Sequence, residues 1–105
     1  MTSNDANIKL IHEVIHRILP GSKIILFGSR AKGIYDMRSD YDVMAIIYED
    51  MNKDEIRKIK QKIRRDLAEK RIAIDIVVTS NTEIERISEL TNHIIHEALA
   101  TGVEI

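Results

Sequence analysis

KIILFGSRAKGIYDMRSDYDVMAIIY, residues 23–48, contains an apolar run, a glycine–serine turn, and two acids at alternate positions opening a second apolar run. Lys23 to Phe27 (KIILF) is short, rich in β-branched residues and bounded by Pro20-Gly21 and Gly28-Ser29. That pattern predicts a buried strand ending at Gly28. Ser29 to Lys32 then has room for one helical turn, with Ser29 near its N-cap, so that the hydroxyl and the following backbone N–H groups point outward together. Gly28 would let a ligand approach the backbone closely. Tyr41 to Tyr48 (YDVMAIIY) predicts a second strand, and because side chains alternate along a strand, Asp40 and Asp42 fall on one side near its beginning. There they can share a cation.

Outward from this stretch, Lys53 to Lys70 spaces Ile56, Ile59, Ile63 and Leu67 as one stripe of an amphipathic helix, with charge nearly everywhere else. Asn52 followed by Glu55 has the form of a capping box and sets its start. The helix leads into a third apolar run, Ile72 to Thr79, that carries one acid, Asp75. Strand, helix, strand implies a parallel crossover, so the starts of the second and third strands share one edge and Asp75 can come level with Asp42. The first strand reaches the second by a short connection and is expected antiparallel to it, which returns Gly28 and Ser29 to the same edge. Upstream, Ile8, Ile11, Val14, Ile15 and Ile18 form the stripe of a helix that Pro20-Gly21 ends. Downstream, Ile94, Ile95, Ala98 and Leu99 mark the core side of a helix ending at Gly102. The expectation is one α/β (α+β) domain over residues 1–105, a small mixed sheet with helices packed on it.

An ionised carboxylate inside the run IAIDIVV is costly unless a cation or donor compensates it. Three acids beside a phosphate-sized turn therefore suggest a hard cation, most simply Mg²⁺, held by carboxylates and phosphate oxygens. Phosphoryl or nucleotidyl transfer uses this arrangement: two ions ~4 Å apart stabilise the attacking and leaving oxygens of an in-line displacement. No GxxxxGK[ST] loop is present.

In GSRAKG, SDYD and IDIV, taken in order, the chain resembles the DNA polymerase beta nucleotidyltransferase superfamily. Within it the chain is most similar to the minimal nucleotidyltransferase (MNT) group, single-domain proteins often paired with a HEPN-domain protein as antitoxin and toxin. The resemblance implies that Asp40 and Asp42 bind both Mg²⁺ ions. It also implies that Asp75 binds one ion and helps deprotonate the acceptor hydroxyl, and that Gly28 and Ser29 contact the triphosphate. Read from the residues themselves, Arg30 and Lys32 flank the phosphate site and can steady the triphosphate, or else serve as exposed solvating charges, and Ser39 is a further candidate contact. The resemblance implies transfer of AMP from ATP to a hydroxyl, a tyrosine of the HEPN toxin. Tyr41 replaces the aliphatic residue common between the paired acids but points to the opposite face. Two alternatives stay open: an antitoxin that acts by binding alone, and a nucleotidyltransferase acting on a small molecule or an RNA end.

These 105 residues are expected to form one domain able to bury roughly two-thirds of its surface, without a second lobe among them. Hydrophobic and charged shares of 44% and 31% are those of a soluble globular protein, and no apolar run approaches the ~20 residues that span a bilayer. The start, MTSNDANIKL, lacks the regions of a signal peptide, and cysteine is absent, both compatible with a cytoplasmic protein.

Two features compete with this reading. HEVIH, His12 to His16, matches the zinc-protease pattern HExxH. A third ligand is missing at the metzincin spacing, where Ser22 stands, so paired surface histidines are the better account of it and of His93 with His96. Lys53 to Arg71 holds nine Lys or Arg against four Asp or Glu in a chain of net charge -1. A solvated helix face with partners such as Lys62 and Asp66 explains this better than a nucleic-acid footprint, because only Phe27, Tyr35, Tyr41 and Tyr48 are aromatic.

Overall fold

In a computed structural model of the chain, which describes residues 6–33, 40–87 and 94–105, the sheet is built from the three strands anticipated plus a fourth. The order is helix α1 (Ala6–Ile18), strand β1 (Lys23–Phe27), a short helix α2 (Gly28–Lys32), β2 (Tyr41–Ile47), helix α3 (Lys53–Ala68), β3 (Ile74–Ser80), helices α4 (Asn81–Ile87) and α5 (Ile94–Thr101), and β4 (Val103–Glu104). Across the sheet the strands run β3-β2-β1-β4. As expected, β1 lies antiparallel to β2 and β2 parallel to β3. The strand β4, which pairs antiparallel with β1 at Ile25 and Leu26, has no forerunner in the sequence pattern, because two residues are too few to show a period.

The core divides into two by strand alternation. On one face Ile24, Leu26, Val43, Ala45, Ile47, Ile76 and Val78 pack with Ile11, Ile15, Ile63 and Leu67 of α1 and α3. On the other, Ile25, Phe27, Met44 and Ile46 meet Ala98 of α5. Ile11, Ile15, Ile63 and Leu67 are wholly buried, and each contributes roughly 1.5–3 kcal/mol by leaving water. Asn52 caps α3 as the sequence indicated: its Oδ1 accepts from the Glu55 N–H at 2.8 Å while Glu55 Oε1 accepts from the Asn52 N–H at 3.4 Å.

Several local expectations need correction. The second strand stops at Ile47 and leaves Tyr48 74% exposed, while the third starts at Ile74, after Arg71 has taken a left-handed φ of 60°. Leu99, expected on the core side of α5, is 47% exposed; Ala98 is buried there. Asp66 does not serve Lys62. It reaches Arg17 of α1 at 3.5 Å, an exposed pair that adds little to stability.

Candidate active site

Alternation along β1, β2 and β3 sets the geometry of the proposed site. In the ladders Phe27 lies opposite Asp42, and Asp42 lies opposite Asp75, so these three share one face at the start of the two parallel strands. Tyr41, one residue before Asp42, points to the other face and is 3% exposed in the core there. Asp40 immediately precedes β2 and is exposed, while Asp42 is half-buried.

Asp75 is exposed, not enclosed by the apolar run in which it is written. It is the second residue of a strand at the sheet's edge, and burial along β3 becomes continuous only from Val78 onward. Its carboxylate keeps its hydration, so the expected cost of burying a charge does not arise at this position.

Gly28 joins the turn to the acids. Its φ is +73°, and a Cβ built on it would run into Asp42 Oδ2, with Asp42 Cγ 3.0 Å and Cβ 3.2 Å away. The missing side chain thus makes room for the Asp42 carboxylate, where the sequence suggested room for a ligand. Helix α2 begins at Gly28, one residue before the expected cap, which places Ser29 within its first turn. The Ser29 side chain and all of Ser39 lie outside the described residues.

Arg30 is positioned by the opposite face. Its guanidinium carbon stands 4.1 Å from the centroid of the Tyr41 ring, and the Tyr41 hydroxyl accepts from Asn7 Nδ2 of α1 at 3.3 Å. A cation over a tyrosine face is worth about 0.5–2 kcal/mol depending on its desolvation. The contact links α2, β2 and α1 behind the acids, a link invisible in sequence because Asn7 and Arg30 follow no shared period.

Among the described residues, no group of three or more His, Cys, Asp or Glu is placed to hold a metal ion. The backbone register brings Asp42 and Asp75 level, but the three carboxylates do not gather into one ligand set. The donors themselves are all carboxylate oxygens, the type that suits Mg²⁺ rather than zinc. HEVIH gathers no set of three either. The His12 and His16 rings lie 4.0 Å apart with a 51° tilt, and His16 Nε2 is 3.2 Å from the Ser22 carbonyl, to which its N–H tautomer donates. His93 and the His96 side chain lie outside the described residues.

The family model for polymerase beta nucleotidyltransferases matches residues 9–105. No curated protein matches the chain significantly. Among solved structures, a chain of a toxin–antitoxin with AMP-PNP superposes with a TM-score of 0.63 at 18% identity, covering 95% of this chain and 72% of that one. A chain from a tri-AMPylated Shewanella oneidensis HEPN toxin in complex with MNT antitoxin gives 0.60 at 16% identity over 99% and 71% of the two chains. A chain of the toxin–antitoxin MntA-HepT gives 0.57 at 16% identity over 93% and 68%. At these identities the likeness is one of fold. No described helix is long and apolar enough to cross a membrane.

Proposed function

The chain belongs to the polymerase beta nucleotidyltransferase family, and from that premise we propose that it moves AMP from ATP to an acceptor hydroxyl, a tyrosine of a HEPN-domain toxin, and so acts as an antitoxin in the cytoplasm. One observation carries the reading: Asp42 and Asp75 are register partners on one face, with Gly28 closed against the Asp42 carboxylate. The fold shared with HEPN–MNT complexes supports the choice of partner.

Asp40, Asp42 and Asp75 would hold the Mg²⁺ ions. When bound, the ions would supply charge to the triphosphate and lower the cost of ionising the attacking hydroxyl. Ser29 and the Gly28 backbone would carry the triphosphate at the head of α2, with Ser39 beside it, while Arg30, held over the Tyr41 ring behind the acids, would have to leave that ring to join them. Asp75 would take the acceptor's proton as that oxygen bonds to the α-phosphorus. The bond from the α-phosphorus to the bridging oxygen breaks, and pyrophosphate leaves with that electron pair. Since Asp75 is exposed at a sheet edge, a bulky acceptor can reach it.

With Mg²⁺, ATP labelled at the α-phosphate and a HEPN-domain acceptor, label should pass to the acceptor and pyrophosphate should be released. Asp42→Asn should lose on the order of 10³-fold in rate, ~4 kcal/mol. Transfer of a γ-label instead would make the chain a kinase and overturn the reading.

Neutralisation by binding alone has one observation in its favour, the lack of a gathered three-acid group among the described residues. Asp42→Asn separates the two readings. An antitoxin that works by binding keeps its neutralising power in this variant, and one that works by transfer loses it.

A further inference from the structure

The C-terminal half of the sheet, away from the acids, carries a cationic groove of about 460 Å³ between α3 and α4. Lys53, Arg57, Lys60 and Arg64 recur along α3 at intervals of four, three and four residues, one stripe about 16 Å long at 1.5 Å per residue. Arg86 of α4 adds a fifth cation, and the one acid lining the groove, Glu83, is paired with it at 3.5 Å. Arg57 is paired with Asp54 at 3.2 Å. Lys53, Lys60 and Arg64 carry no ion pair among the described residues. The other cations of α3, Lys58, Lys62 and Arg65, lie on a different side of the helix, so four of its seven line this one opening in a chain of net charge -1.

The lining also includes Met51, Ile56 and Val78, so the cations surround apolar surface. Met51 additionally lines a neighbouring groove of about 310 Å³, together with Leu19, Pro20, Ile47 and the exposed Tyr48. Cationic rim, apolar floor and an adjoining exposed tyrosine match the anatomy of a protein-binding surface, where Tyr and Arg supply most of the hot spots. Nucleic acid fits less well. The cationic groove has no aromatic in its lining, and Tyr48 is followed by the exposed acids Glu49 and Asp50, which repel phosphates.

We propose that the α3–α4 groove docks a protein segment in which acidic residues alternate with single aliphatic ones, carboxylates meeting Lys53, Lys60 and Arg64 and the aliphatic side chain meeting Met51, Ile56 and Val78. Val78 lies three residues along β3 from Asp75, roughly 10 Å, with its side chain on the opposite face of the sheet. Docking here leaves the Asp42–Asp75 face open, and it does not depend on nucleotide transfer.

Titration of the ¹⁵N-labelled chain, without nucleotide, with three probes tests this. The first is a synthetic peptide of glutamate pairs separated by single leucines. The second is the same peptide with serine for leucine, and the third is single-stranded oligouridylate of equal charge. The leucine peptide should shift amides of residues 51–64 and 83–86, bind more weakly as salt rises, and bind better than the serine peptide. Lys60→Glu with Arg64→Glu should weaken it at least tenfold with the remaining amide spectrum retained. If that pair disturbs the fold, Lys60→Gln with Arg64→Gln should show a smaller loss in the same direction. Oligouridylate binding in the groove as tightly as the leucine peptide would make this a nucleic-acid site and overturn the proposal. Failure of the leucine peptide to shift the groove amides would overturn it as well, leaving the cations as a solvated helix face. Loss of transfer in Asp42→Asn bears on the other face alone, so the two ideas fail separately.

Discussion

Asp42 and Asp75 face each other across the parallel β2–β3 ladder, one half-buried and one exposed, on the side of the sheet that also carries Phe27. Two carboxylates at one level of neighbouring strands repel each other, and a fold that only had to be stable would not put them there.

Neutralising one of the pair should relieve that repulsion. Asp75→Asn should melt higher than the parent chain in metal-free buffer, by up to about 1 kcal/mol, with the gain shrinking as salt is added. A lower melting temperature would mean that Asp75 makes a stabilising contact and that repulsion is not the dominant effect at this rung.

Gly28 and Gly33 share a left-handed φ, +73° and +76°, but only Gly28 has a neighbour where its Cβ would go. Gly33→Ala should cost about 1–2 kcal/mol for the backbone conformation alone. Gly28→Ala should cost more in thermal unfolding, because it must also displace Asp42. Equal losses would show that the Asp42 carboxylate moves aside freely.

Gly102 closes α5 onto β1. A Cβ there would run into the Ala98 carbonyl and Ile25 Cγ2 and stand 3.2 Å from the Leu26 carbonyl, two of these three being backbone that cannot turn away. Gly102→Ala should therefore destabilise by about 1–3 kcal/mol, as overpacking does, measured by denaturant unfolding. A loss within experimental error would show that α5 and β4 can shift outward together.

Thr79 is 1% exposed, and its hydroxyl has no hydrogen-bond partner among the described residues. Thr79→Val keeps the shape and removes a buried polar group, so unfolding should become harder by roughly 1 kcal/mol. A destabilised valine variant would point to a water bound at Thr79 Oγ1.

The parts of the fold legible in sequence were those written as a period. The stripes of Ile8 to Ile18 and of Ile56 to Leu67, the Asn52–Glu55 box and the strand–helix–strand order together give the parallel ladder that sets Asp42 beside Asp75. Contacts between residues with no shared period were not legible: Arg30 over Tyr41, Asn7 on the Tyr41 hydroxyl, and Asp42 against Gly28. Asp75 shows the opposite difficulty. Its apolar neighbours suggest enclosure, but exposure depends on which strand ends up at the edge, and strand order is not written locally.

The pairing of β4 with β1 has a consequence in time. Ile25 and Leu26 are made early, but the residues that cover their outer edge, Val103 and Glu104, come nearly at the end of the described chain. Contacts so distant in sequence form late, after the local and crossover contacts of β1, β2, α3 and β3. During synthesis the growing protein therefore carries β1 with one side unpaired, a template for any other extended chain nearby. Chains halted before Val103 should be recovered in the insoluble fraction far more than those that reach Ile105, although every residue of the Asp42–Asp75 rung has by then been made.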